Sequence, residues 1–231
     1  MYAIMATTLH TGFCFSCDNF RFRWAYRQLE ALRQCPLRDI STTYKRILQG
    51  IPKKMQNNAL RIIQCLTVSS RPFRVEELAE VFAIDFDVET SGLPKFDPNW
   101  RPSDAETAVL SACSTLVAVI NVTVYRKKVV QCSHFSVKEY LTSHRIADSP
   151  PISHFHVLLK PAHTLLAKMC LSVLLQLDYN IDKTSLRNFP LALYAAEHWV
   201  DHARFEDVSS DVLDAIDCLF DKNKPHFAAW L

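Results

Sequence analysis

Apolar residues recur along this chain first at helical spacing and later at strand spacing, and the change of period sets the order of its elements. In FRFRWAYRQLEALRQC, Trp24, Leu29 and Leu32 fall near one face with Arg and Glu opposite, which predicts a helix ended by Pro36. DISTTYKRILQGIP predicts a short helix with Tyr44, Ile47 and Leu48 as its stripe, stopped by Gly50 and Pro52. KKMQNNALRIIQCLTV repeats Leu60, Ile63 and Leu66, and Ile62 and Cys65 widen that face. RPFRVEELAEVFAID places Val75, Leu78, Ala79 and Phe82 on a further amphipathic helix. Asp85 to Pro102 carries three prolines, one glycine and several acids, and reads as a loop. SDAETAVLSACSTL restarts a helix, with Ser103 and Glu106 spaced as a capping box.

The period then becomes two. LVAVI and KKVVQCS are short β-branched runs, which predicts an antiparallel hairpin with its tip between Asn121 and Lys127. Three helices followed by a hairpin is the order of a winged helix, a helix-turn-helix variant. Pro150 and Pro151 mark a junction. After it, PAHTLLAKMCLSVLLQL is apolar around most of its circumference and must be buried on several sides. SLRNFPLALYAAEHWVDHA and DVSSDVLDAIDCLF complete a helical array. The expected fold class is mainly α with a small β-hairpin, a winged-helix domain followed by a helical domain. The expected divisions are an unassigned segment at 1–20, leading helices at 21–49, the winged helix at 50–147 and the helical domain at 150–231.

Composition narrows the chemistry. A chain of 231 residues with three glycines, Gly12, Gly50 and Gly92, cannot form a Walker A loop or a dinucleotide fingerprint, because both need clustered glycines for close backbone approach to phosphate. The same scarcity rules out a GxSxG nucleophile elbow. Eight cysteines lie mostly inside apolar periodic runs, where a thiol acts as a small hydrophobe, and this predicts a reducing, cytoplasmic setting. Cys14-x-x-Cys17 lacks a second ligand pair at zinc spacing. The first residues show no basic leader, and the longest apolar stretch, Leu165 to Leu177, is interrupted by Lys168, Ser172 and Gln176. No membrane partner is expected. A formal charge of +2 offers no argument for nucleic acid. The third helix bears two acids and no Lys or Arg, so it would repel phosphates, and the basic Arg126, Lys127 and Lys128 at the wing tip match a solvated turn.

Two histidine arrangements merit weighing. HWVDH puts His198 and His202 at i and i+4 on one helix face, a spacing that metallohydrolases use, but no third ligand is evident and packing is the plainer reading. His154 and His156 carry still less. In VVQCSHFSVKEYLTS, Ser136 and Glu139 are spaced as a capping box, which would leave His134 two residues before a helix N-terminus at the end of a strand. Spacing alone favours a histidine bonded to a carbonyl; the alternative is one that offers a directed hydrogen bond to an anion.

Six blocks in a fixed order carry a resemblance: FRWAYRQLEALRQC, TYKRILQGIP, RPFRVEELAEVFAIDFD, AVLSACSTLVAVI, SHFSVKEYLTS and FPLALYAAEHWVDHARFEDV. Together, from Phe20 to the C-terminus, they resemble the region after the nucleotide-binding core of fungal NACHT proteins, P-loop signalling ATPases related to NOD-like receptors. The module at this place in that family is the GPI inositol-deacylase-type winged helix. The resemblance implies that residues 21–49 are remnants of the core and its linker. It also implies that His134, just before the Phe135-Ser136-x-x-Glu139-Tyr140 motif, contacts a phosphate of ADP in the closed state. The partners it implies are a NACHT ATPase core, in cis or in trans, and other proteins, with no DNA. Cofactors are then none in this chain, and ADP or ATP when it is joined to a core.

The departures from the family pattern shape the expected role. P-loop and Walker B segments are missing, the linker shrinks to PLRDIST, and no ankyrin or WD repeats follow. The chain is expected to be a fragment or degenerate member, non-catalytic, acting as an ADP-sensing latch when a core is present. The alternative is a stand-alone winged-helix adaptor that binds another protein and no nucleotide.

Overall fold

A computed structural model describes residues 37–90, 93–113, 115–122, 127–178, 182 and 184–230. The Trp24 helix, the 1–20 segment, the Cys14/Cys17 pair and Arg126 of the wing tip lie outside these residues. Ser41–Leu231 forms one compact unit.

Helix α1, Leu37–Gln49, turns Tyr44 and Leu48 inward. Helix α2, Lys53–Val68, buries Ile62, Ile63, Cys65 and Leu66 of the face its periodicity assigns, with Ala59 buried and Leu60 only half-buried. Strand β1, Phe73–Arg74, leads into α3, Val75–Leu78, which tightens into a 3-10 helix over Ala79–Ala83. Three residues per turn rotate the inward face, so Val81 is buried where the sequence pattern favours Phe82.

The segment expected to be a loop instead forms a hairpin. Strand β2, Ile84–Thr90, pairs antiparallel with β3, Leu93–Phe96, from Ile84↔Phe96 to Thr90↔Leu93, with an irregularity between Asp85 and Glu89. Ile84, Phe86 and Val88 alternate with Asp85, Asp87 and Glu89, a strand period that the flanking prolines and acids obscure. Helix α4, Ala105–Cys113, follows. Its cap is Asp104 rather than Ser103: the Thr107 amide donates to Asp104 Oδ1 at 3.1 Å and the Thr107 hydroxyl to Oδ2 at 2.6 Å.

Strands β4, Val117–Val122, and β5, Lys127–Cys132, form the expected wing, in register from Val117↔Cys132 to Val122↔Lys127. Strand β1 adds to the far edge of β5, so the sheet order is β1-β5-β4. Helices α2, α3 and α4 with this sheet make the winged helix. Two short helices close it, α5 at Phe135–Leu141 and α6 at His144–Ala147.

Helix α7, Leu159–Leu174, is the centre of the C-terminal half and is buried over most of its surface, including Leu166, Met169, Leu171 and Leu174. Around it stand α8, Ala192–Ala203, α9, Val208–Asp211, α10, Leu213–Leu219, and α11, Pro225–Trp230. The proline junction does not divide two bodies. An all-round apolar helix needs cover on every side, and α7 takes it from α2 and β3 as well as from α8. Directed bonds lock the same boundary. Ser172 Oγ donates to the Pro94 carbonyl at 3.2 Å, Arg74 Nη2 to the Pro190 carbonyl at 3.1 Å, and the Ser70 amide to the Tyr194 hydroxyl at 3.2 Å.

Two buried carboxylates stiffen the turn between β1 and β2. Glu77 receives both Arg71 guanidinium nitrogens at 2.8 and 3.0 Å, the Arg74 Nε at 2.7 Å and the Arg74 amide at 2.7 Å. Burial pushes its carboxyl up, and these bonds outweigh burial and hold it below the usual range. Glu80 takes a bidentate pair from Arg101 at 2.6 and 2.9 Å, yet burial prevails there and its carboxyl sits above the usual range.

Candidate functional site

His134 follows the last strand of the wing and is itself the N-cap of α5, with extended backbone at φ −151° and ψ 151°. The Ser136 amide donates to His134 Nδ1 at 3.2 Å. The expected capping box therefore does not form: Ser136 lies inside the helix, and the cap acceptor is an imidazole nitrogen instead of a hydroxyl. Helix α5 has only seven residues, so little anion affinity comes from its dipole, and any directed contact has to come from the side chain.

The ring is half-buried, with Phe135 tilted against it at 4.2 Å between centroids. Phe135 is 68% exposed, a large apolar surface at the rim of this site. Ser136 Oγ lies 2.6 Å from His134 Nδ1 and 2.8 Å from the Tyr44 hydroxyl. The direction of these bonds follows from the amide. An N–H can only donate, so Nδ1 holds a lone pair and the imidazole proton resides on Nε2. The Ser136 hydroxyl must then donate to Nδ1 and accept from Tyr44. Burial raises the Tyr44 phenol, against the lowering effect of Ser136, so Tyr44 is a neutral O–H donor.

Beside this site an open cleft of about 420 Å³ is lined by Arg71, Val130, Cys132, Phe135 and Lys138. Its Arg71 is already paired with Glu77, with Glu197 at 3.8 Å, so Lys138 supplies the cleft's uncommitted charge. Cys132 is pushed up by burial and is no activated thiolate. At the wing, Lys128 is held in an ion pair by Glu106 of α4, which ties the tip end of the wing to the third helix.

The HWVDH histidines do not converge. His202 is fully buried, with Nε2 2.9 Å from the Tyr194 hydroxyl and Nδ1 3.0 Å from His163 Nδ1. His198 turns its Nδ1 to Asp201 at 3.1 Å. Burial, then the neighbouring His163, pushes His202 down to about 4, so it is a neutral structural imidazole. His163 stacks flat on Phe205 at 4.1 Å and is lowered by burial and by Lys138. Among the described residues no three His, Cys, Asp or Glu side chains gather as metal ligands. His154 is exposed, with its ring tilted against Phe155 at 4.1 Å, and His156 is half-buried.

Sequence reasoning singles out His134 and misses what holds it. Tyr44 lies 92 positions from Ser136, and no local pattern reports that pair. The cap was missed because histidine is absent from the usual capping set, and Ser136 is the more familiar cap residue.

No helix among the described residues is long and apolar enough to cross a membrane. The chain is 28% identical over 210 residues to azaphilone pigments biosynthesis cluster protein L of Monascus ruber, an alignment covering 88% of this chain and 43% of that protein. The chain thus spans less than half the length of this relative. No solved structure matches. The family model described as GPI inositol-deacylase, winged helix domain, matches residues 44–152, a span that takes in the second half of α1, the helices and wing described above, and His134. Over residues 44–152 the chain thus matches a winged helix domain, the architecture that its helices and wing display.

Proposed function

We propose that this winged helix is a non-catalytic regulatory module of a NACHT-type signalling ATPase, and that His134 meets a phosphate of ADP held by the ATPase core. One observation carries the reading: the bonding at Nδ1 places the imidazole proton on Nε2, so the ring offers an N–H, the group a phosphate oxygen accepts. Phe135 beside it, 68% exposed, gives this end of the domain an apolar surface for a neighbouring lobe.

A hydrogen bond to a charged group contributes about 1.5–3 kcal/mol. Made only in the closed state, it favours closed over open by roughly ten- to a hundredfold. The module binds the core and other proteins, not DNA, since Glu106 of the third helix already engages the wing lysine Lys128. A cytoplasmic setting accords with buried, unpaired thiols at Cys65, Cys113 and Cys170.

The test begins with the transcript upstream of Met1. An in-frame GxxxxGK[ST] segment, and purification of the longer product with bound ADP, is the expected result. A longer product that has such a segment and binds no adenine nucleotide overturns the reading.

A further inference from the structure

The bonds around His134 reach back to the helix that enters the domain. Tyr44 is 2% exposed, its ring packs 5.4 Å from Tyr140, and its hydroxyl ends inside the protein at Ser136 Oγ. Ser136 Oγ in turn touches only one side of the imidazole, Nδ1, at 2.6 Å. The chain Tyr44 O–H to Ser136 O–H to His134 Nδ1 therefore has one consistent direction, and it terminates on a ring whose other nitrogen carries the proton. A short helix cap would need only the Ser136 amide. The amide at 3.2 Å already makes Nδ1 an acceptor; the hydroxyl, aligned by the buried phenol, adds the shorter bond at 2.6 Å, which strengthens that tautomer and sets how the ring is turned.

We infer that Tyr44 and Ser136 are positioning residues that hold His134 in its Nε2–H tautomer, and that α1 is thereby coupled to the orientation of His134. Movement of α1, the element by which any upstream segment joins the domain, withdraws the phenol, releases the Ser136 hydroxyl and lets the imidazole change tautomer and turn. The relay stands by itself. Only its consequence, control over a phosphate contact, rests on the function proposed above.

The experiment uses the full chain, ¹⁵N-labelled at histidine, with His134 assigned by loss of its signals in His134→Asn. Imidazole ¹⁵N shifts report the tautomer directly. Wild type is expected to show a single Nε2–H form. Ser136→Ala keeps the amide but loses the hydroxyl, and Tyr44→Phe keeps the ring but loses the donor. Both are expected to give a mixture of tautomers, and Ser136→Thr is expected to restore the wild-type signature. Unchanged shifts in Ser136→Ala, or a change there with none in Tyr44→Phe, overturn the coupling. Equal far-ultraviolet dichroism across the set confirms that the fold is kept. A second arm separates this idea from the phosphate contact: in a core-bearing product, Ser136→Ala is expected to release ADP roughly fivefold faster, the factor set by one ordinary hydrogen bond. Altered tautomers with unaltered ADP release would support the relay and remove the phosphate role.

Discussion

Buried His202, bonded to the half-buried His163, makes the unit acid-sensitive. His202 joins Tyr194, itself bonded to Ser70 of the winged helix, to His163 of α7, so its neutrality serves the contact between the two halves of the chain. Protonation has to place a charge where no solvent reaches. The imidazole falls to about 4 in the folded chain from an ordinary 6.5. A folded pKa below the unfolded one means that the unfolded chain binds more protons through that window. The contribution is complete above the unfolded value and is lost as pH falls from about 6.5 towards about 4. At about 1.36 kcal/mol per unit, the loss is about 3 kcal/mol. Urea unfolding of wild type and His202→Asn at several pH values reads this. The variant is weaker at neutral pH, yet its stability falls less on acidification, by about 3 kcal/mol at the acid end. Parallel pH profiles for the two proteins would refute the reasoning, because every other titrating group is common to both.

Other outcomes follow from the same packing. Arg101→Ala strands the buried Glu80 carboxylate and should lower stability by about 3 kcal/mol at neutral pH, with part of the loss recovered in mild acid as Glu80 takes up a proton; urea titration at two pH values checks it. Burial pushes Cys65 and Cys113 up to about 12, so iodoacetamide followed by mass spectrometry should leave both unmodified in the native chain and label them in urea, with the partly exposed Cys218 labelled before either. Leu166→Ala in the wholly buried face of α7 should cost about 2–5 kcal/mol, whereas Leu213→Ala, at a residue 54% exposed, should stay within about 0.5 kcal/mol; thermal melts compare them.

Much of the fold is legible from periodicity: α2 buries one face, α7 is apolar around most of its circumference, and the wing strands are short β-branched runs. The β2–β3 hairpin was hidden because its alternation is carried by acids beside prolines, which signal a loop more loudly than a strand. The join between the two halves was hidden for a different reason. Tyr194 meeting Ser70, and Ser172 meeting Pro94, are contacts across long sequence separations that no window contains. The metal spacing of HWVDH misleads in the same manner: i and i+4 set a shared face, but the surroundings decide whether that face looks into the core, as for His202, or towards Asp201, as for His198. At His134 the residue was visible and its support was not, since a tyrosine in α1 and a serine in α5 meet only once the chain has folded.

The most direct measurement is the ADP dissociation rate from a product that carries the upstream core, wild type against His134→Asn. Asparagine retains a side-chain oxygen that can cap α5 but lacks the imidazole Nε2–H, so the fold is kept while the phosphate contact is lost. ADP should leave the variant roughly ten- to a hundredfold faster. Equal rates in the two proteins would contradict the account.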